Sequence, residues 1–419
     1  MTTSWRRVSA GLLALVVAIG VLAASTSDAA AHGDRAGGVS SQPSVVRGVT
    51  PTSIEVEGLG TVALFAGADV GAKARFQRAN ATGGVFGRTF DYRGFKDDQG
   101  VGATNQQVGT SMVRQDQVFA AVPVVTTDLG AVDSFVDLKV PYFGWALSSN
   151  FCGNRYGFGF SGCLFPPGRR ITSNAWGTLV ETALGAQVPS PTAVVLTEST
   201  PAGQSELASL TSNVSSAGID VVLAQSSLPV PPADNYDALG ATILAANGGK
   251  APDAVFVVAS YSTVVLLQRT LRIAGFGGIF TDTNEYDPDL VSSATSTSVL
   301  LQTAPIEAAA NNTAMQQLVT DVRAVDPSIP IDQGVVAGYV AADMFVAAVR
   351  RAGKDLTLER FLDRANKGFT YELDGAVGPT TFPADHNAPT PCGSLVRSDG
   401  GAYQVVVPYS CGRVVKVKR

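Results

Sequence analysis

The feature that most limits how this chain can fold is an alternation of short apolar runs with helix-like stretches. The unit is clearest between Val118 and Asn150, VFAAVPVVTTDLGAVDSFVDLKVPYFGWALSSN. Val118 to Val125 is a continuous apolar run, the pattern of a strand covered on both faces. Thr126, Thr127 and Asp128 follow, residue types that cap a helix start. A helix is predicted from Gly130 to Leu138 and a second strand from Pro141 to Ala146, leading into Ser148 and Ser149. Two parallel strands then end close together with hydroxyls and backbone N–H groups at their carboxyl ends. Ligands bind at that edge of open α/β sheets, and a helix start there favours a carboxylate or other anion.

The same rhythm runs on both sides. Before the unit come a strand at Ser53 to Leu59, a helix at Gly67 to Asn80, a strand at Thr89 to Phe95 and a helix at Asn105 to Arg114. Such an order implies a mostly parallel sheet with helices on both faces. A Gly-rich, aromatic loop from Asn150 to Arg170 interrupts it, and the alternation restarts with a helix predicted over Ile171 to Ala183. The expectation is therefore an α/β protein of two similar Rossmann-like lobes, with a ligand cleft between them. The last third, with helices at Asn312 to Val325, Gly334 to Arg351 and Leu356 to Ala365, has too few strands for a third lobe. It must complete the first two, with three hinge crossings near residues 170, 305 and 370. Residues 50–170 and 306–368 form the N-terminal lobe in this reading, and 171–305 with 369–419 the C-terminal lobe.

With 419 residues and 45% hydrophobic content the chain can bury two cores. Charged residues are 16% and the net charge is −5, which argues against nucleic acid as a partner. The one basic run, Lys416 to Arg419, reads as a solvated end. Arg6 and Arg7, an uncharged run from Val8 to Ala24 and Ala29-Ala30-Ala31 have the form of a signal peptide over residues 1–31. The alternative, an uncleaved anchor, has a short run for a full span. Residues 32–49 read as a flexible leader. No Cys near the cleavage region is available for a lipid anchor, so the expected location is periplasmic, cell-surface associated or secreted. The four cysteines fall into two local pairs, and an exported chain favours disulfides, Cys152 with Cys163 and Cys392 with Cys411. Their spacing does not suit a metal, and no cofactor is expected. No phosphate loop, dinucleotide fingerprint or nucleophile elbow is present.

The segments GVTPTSIEVEGLG, GAKARFQRANATGGVFGR, FKDDQG, VPYFGWALSSNFCG, VVAGYVAADMFVAAVRRAG and LDGAVGPTTF resemble the solute-binding proteins of branched-chain amino-acid ABC transporters, the type I periplasmic binding proteins. The resemblance implies two lobes that close on a small solute by hinge bending, a membrane permease as partner, a monomer and no catalysis. It places ligand-carboxylate contacts near Thr126 and Thr127, and at Ala146 and Ser148. In the second lobe it implies an aromatic contact at Tyr261 and an acid for a ligand ammonium at Glu285. The sequence departs from the family at Ala202, where amino-acid binders carry Tyr, and Trp145 adds a bulky surface beside the ligand. The expected function is capture of a small carboxylate-bearing solute, an amino acid or related compound, for an ABC importer. Alternatives are a sensory or scavenging module without a transporter, and a secreted hydrolase using His386.

Overall fold

A computed structural model of the chain describes residues 46–168, 170–283, 286, 291, 296–399 and 401–418. Glu285 lies outside them, as do the expected signal peptide and nearly all of the expected leader. The apolar runs become strands where the alternation places them. In the first lobe these are β1 (Ser53–Gly60), α1 (Ala68–Ala81), β2 (Thr89–Asp97), α2 (Gly102–Arg114), β3 (Ala120–Val125), α3 (Val132–Asp137), β4 (Tyr142–Trp145) and β5 (Gly157–Gly159). They make a five-stranded sheet in the order β2-β1-β3-β4-β5, parallel throughout. Burial on both faces explains the unbroken apolar run of β3. Ala120, Val122 and Val125 enter one core, Ala121 and Val124 the other. A register irregularity around Pro123 shifts the alternation between them.

The second lobe begins with β6 (Ile171–Ser173) and α4 (Ala175–Leu184). The helix expected from Ile171 thus starts only at Ala175, because Ile171 to Ser173 pair with a strand near the C-terminus. Next come β7 (Thr192–Glu198), α5 (Pro201–Ser216), β8 (Asp220–Leu228), α6 (Asp237–Leu244), β9 (Ala254–Val258), α7 (Tyr261–Ile273), β10 (Ile279–Asp282) and β11 (Thr297–Leu301). After α8 (Thr313–Val325), α9 (Gln333–Ala352) and α10 (Leu358–Ala365), a hairpin forms from β12 (Phe369–Leu373) and β13 (Val377–Phe382). The chain ends in β14 (Cys392–Asp399), β15 (Ala402–Cys411) and β16 (Val414–Lys416). The second sheet has the order β15-β14-β11-β10-β9-β7-β8. Its β8, β7, β9, β10 and β11 are parallel, and the β14–β15 hairpin adds antiparallel strands at one edge.

Helices cover both faces of each sheet. In the first lobe, α1, α8, α9 and α10 share one core, and α2 and α3 the other. Phe345 of α9 is fully buried and meets the rings of Phe76, Phe90, Phe119, Phe143 and Phe361. Each such contact adds roughly 0.5–1.5 kcal/mol beyond area burial. In the second lobe, α4 and α5 cover one face and α6 and α7 the other. No helix among the described residues is long and apolar enough to cross a membrane.

The chain leaves the first sheet after β5, returns to that lobe after β11 and leaves again after β13. The expectation places residue 369 onward in the second lobe. Instead Phe369, Tyr371 and Phe382 of the hairpin pack in the first core, so the hairpin lies on the first lobe's side of the last crossing. The crossing segments are tied to each other. Thr390 N–H donates to the Ser161 carbonyl at 2.8 Å, and Cys163 N–H to that of Ala388 at 2.9 Å. Ala304 N–H donates to the Ala376 carbonyl at 2.7 Å, and the Ser394 hydroxyl to that of Thr303 at 2.6 Å. Both expected disulfides are present, Cys152–Cys163 in the loop that leads into the first crossing and Cys392–Cys411 across β14 and β15. The sequence patterns Asn80-Ala81-Thr82 and Asn213-Val214-Ser215 fit the N-glycosylation sequon, and both asparagines are engaged in the fold. Asn80 exchanges two hydrogen bonds with the Phe90 backbone, and Asn213, 5% exposed, accepts from Gly177 N–H.

Candidate binding site at the strand ends

Parallel strands bring their carboxyl ends to one edge, so β1, β3 and β4 deliver Thr61, Thr126 and Trp145 together. Thr126 is fully buried. Its Oγ1 accepts from Asp128 N–H at 3.2 Å and lies 3.4 Å from Thr61 Oγ1. The Thr61 hydroxyl donates to Asp98 Oδ1 at 2.7 Å. Asp98, fully buried, also accepts from Gly100 N–H and from Asn105 Nδ2, both at 2.8 Å. Asn105 in turn accepts from Ala131 N–H. This network fixes the loops after β1, β2 and β3 relative to one another, and every oxygen in it has a partner.

The expected capping of a helix by Thr126, Thr127 and Asp128 does not occur. Helix α3 starts at Val132, has Ala131 at its N-cap, and takes no side-chain cap. The segment between turns first, and Thr126 closes that turn on Asp128. Thr127 is exposed, Ala146 and Ser148 are buried, and Trp145 is partly buried. Ser148 Oγ accepts from Asn150 N–H at 3.3 Å, capping a short 3-10 turn. Ala146 N–H donates to Ser161 Oγ at 3.3 Å. The Trp145 indole lies 6.0 Å from the rings of both Phe65 and Phe160, and its Nε1–H donates to Gln302 Oε1, just beyond β11. Trp145, Phe160, Gln302, Thr303, Gln333 and Ala337 border a cavity of about 10 Å³. That is room for about one water.

In the second lobe the carboxyl ends of β7, β9 and β10 carry Glu198, Ser260 with Tyr261, and Asp282. Glu198 Oε1 accepts from Ser260 N–H at 2.8 Å. Ser260 Oγ lies 3.0 Å from Thr263 Oγ1, at the start of the thirteen-residue α7. Tyr261 is the first residue of that helix and is partly buried. Asp282 is 1% exposed. Glu206 of α5 is held above the usual carboxylate range, first by burial and then by the charge of Glu198. Glu198, Ser260, Thr61 and Gln302 are the residues that sequence reasoning missed. A polar residue directly after an apolar strand run is the signal that marks Thr61, Glu198 and Gln302.

His386 sits away from these strand ends. It packs against Phe158 and Phe382, with Nε2 2.6 Å from Asn366 Oδ1. Among the described residues no group of three or more His, Cys, Asp or Glu could hold a metal.

Two helix-covered parallel sheets joined by three crossings define the fold of a two-lobe binding protein. The chain belongs to the periplasmic binding protein family, whose model matches residues 55–402. Among curated proteins none matches it in sequence. Similar solved structures include a fatty acid ABC transporter substrate-binding protein from Thermomonospora curvata, 18% identical, with a TM-score of 0.66, covering 88% of this chain and 94% of that one. A solute-binding protein from R. palustris in complex with benzoate is 17% identical, TM-score 0.60, over 86% of this chain and 98% of that one. The branched-chain amino acid transporter substrate binding protein of Streptococcus pneumoniae, in complex with isoleucine, is 17% identical, TM-score 0.60, over 85% and 100%.

Proposed function

We propose that this protein is an extracytoplasmic solute-binding protein of an ABC importer, and that it captures a small carboxylate-bearing solute between its lobes by hinge closure. Family membership supports the binding role. The observation that carries the ligand class is the set of polar groups at the carboxyl edges of the two sheets. On the first lobe, Ser148 Oγ accepts the Asn150 N–H, which leaves its hydroxyl hydrogen to donate, while the Thr126 hydroxyl is held by Thr61. On the second, the start of α7, where Ser260 N–H donates to Glu198 Oε1, supplies the positive end of a helix dipole. Among proteins of similar fold, one is a fatty acid transporter's binding protein and two are in complex with benzoate and isoleucine, all carboxylic acids with apolar bodies. Trp145, flanked by Phe65 and Phe160, supplies an apolar surface beside the hydroxyls. Catalysis has no part in this reading.

Isothermal titration of the protein against amino acids, fatty acids and aromatic acids tests it. One class of acid binds, and Ser148→Ala weakens it about tenfold through loss of a buried hydrogen bond, while the amide of the same acid binds less well. An amide that binds as tightly as its acid overturns the carboxylate assignment.

A further inference from the structure

The ribbon of β6 and β16 carries a charge opposite in sign to the molecule. Val414, Val415 and Lys416 pair antiparallel with Ser173, Thr172 and Ile171, and Val417 N–H donates to the Arg170 carbonyl at 2.8 Å. Arg170, Arg413, Lys416 and Lys418 are all exposed on and beside it. None of the four forms an ion pair among the described residues, while the whole chain has a net charge of −5. The ribbon's own anchors are neutral: Lys418 N–H donates to Ser212 Oγ at 2.9 Å, Arg413 N–H to Asn174 Oδ1 at 2.7 Å, and the Arg413 guanidinium to the Ser216 carbonyl at 3.3 Å. Among the described residues no carboxylate pairs with these cations.

We infer that this ribbon is a docking surface for an anionic lipid bilayer. Four cations gathered on one short ribbon match the lower end of the clusters that bind acidic headgroups. Lys416 and Lys418 share one face of β16 with Val414, 39% exposed, and with Ile171 opposite Lys416, while Arg170, opposite Val417, and Arg413 project from the other face. No aromatic side chain lies on it to stack on bases, which disfavours a nucleic acid. Surface binding of this kind would hold the protein beside a membrane permease without contributing to solute recognition.

Co-sedimentation of the full chain with vesicles tests this, using equal parts phosphatidylglycerol and phosphatidylcholine against phosphatidylcholine alone. Binding to the anionic vesicles, none to the neutral ones, and release at high salt are expected. Each cation near such a surface is worth about fivefold, so Lys416→Gln with Lys418→Gln weakens partitioning about 30-fold. Arg170→Gln, which leaves the β16 strand unaltered, weakens it about fivefold and guards against a variant whose ribbon fails to form. Solute titration is unchanged in all of them. Equal binding by the wild type and both variants overturns the proposal, as does capture by soluble polyglutamate without binding to anionic vesicles, which assigns the ribbon to an acidic protein.

Discussion

Arg75 of α1 and Asp343 of α9 pair inside the first lobe with side chains 5% and 15% exposed, and the Tyr371 hydroxyl donates to the second Asp343 oxygen at 3.1 Å. Desolvating two charges costs about as much as their attraction returns, so removing one partner is worse than removing both. Arg75→Met is expected to cost about 3–5 kcal/mol by stranding Asp343, and adding Asp343→Leu to recover part of it. Urea unfolding of the wild type, both singles and the double measures this. A double variant less stable than either single would refute it. The pair cannot be read from sequence, since its members are 268 positions apart and each looks like an ordinary charge on a helix. The strand-end hydroxyls are different. Thr126 and Ser148 follow apolar runs directly, so their place at the carboxyl edge is written locally, whereas their partners Asp128, Thr61 and Asn150 depend on how the loops turn.

Helices α1 and α9 touch backbone to backbone. A Cβ on Gly338 would stand 1.9 Å from the Ala68 carbonyl oxygen, and one on Gly71 would stand 2.0 Å from that of Val335. Gly338→Ala should therefore destabilise by about 2–3 kcal/mol or more, as overpacking does, although alanine in a helix interior is intrinsically better by about 1 kcal/mol. Thermal and urea unfolding separate the two effects, and a variant as stable as the wild type would show that the helices can part without penalty. At this scale most of the fold was legible, because apolar runs, helical spacing and turn residues are local signals that agree with one another. What was not legible depended on distant pairing. Strand β5 is three residues in a glycine-rich loop, β6 and β16 are three residues each and meet across most of the C-terminal lobe, and β11 has no isolated pattern of its own. The lobe of the β12–β13 hairpin is set by Phe369 and Phe382 finding the first core, which no local signal specifies.

The crossings unite the molecule, and His386 is built into them. It is 4% exposed, flanked by the rings of Phe158 and Phe382 at 5.3 and 4.7 Å, and its carbonyl accepts from Gly153 N–H at 2.7 Å. Burial pushes its pKa down from 6.5 to about 4, against a smaller upward pull from the Gly157 backbone. A base depressed in the folded state takes up its proton more readily when unfolded. Its contribution is therefore fully present above about pH 6.5 and is lost as the pH falls towards about 4. The shift corresponds to roughly 3 kcal/mol at the acid end. Neighbouring Asp385 has the opposite sign: burial raises its pKa, so its protonated form is favoured in the fold. Glu57 and Glu307, raised by burial elsewhere, act likewise. The pH dependence of the wild type alone mixes these groups, but its difference from His386→Gln isolates the imidazole, because glutamine keeps an N–H donor for Asn366 Oδ1 without titrating. Unfolding free energies of the two proteins should converge by about 3 kcal/mol between about pH 6.5 and 4, with the wild type losing more. Parallel loss in both would mean that the ring charges without cost, which requires the Phe158 and Phe382 packing around the crossings to open to water before the lobes unfold.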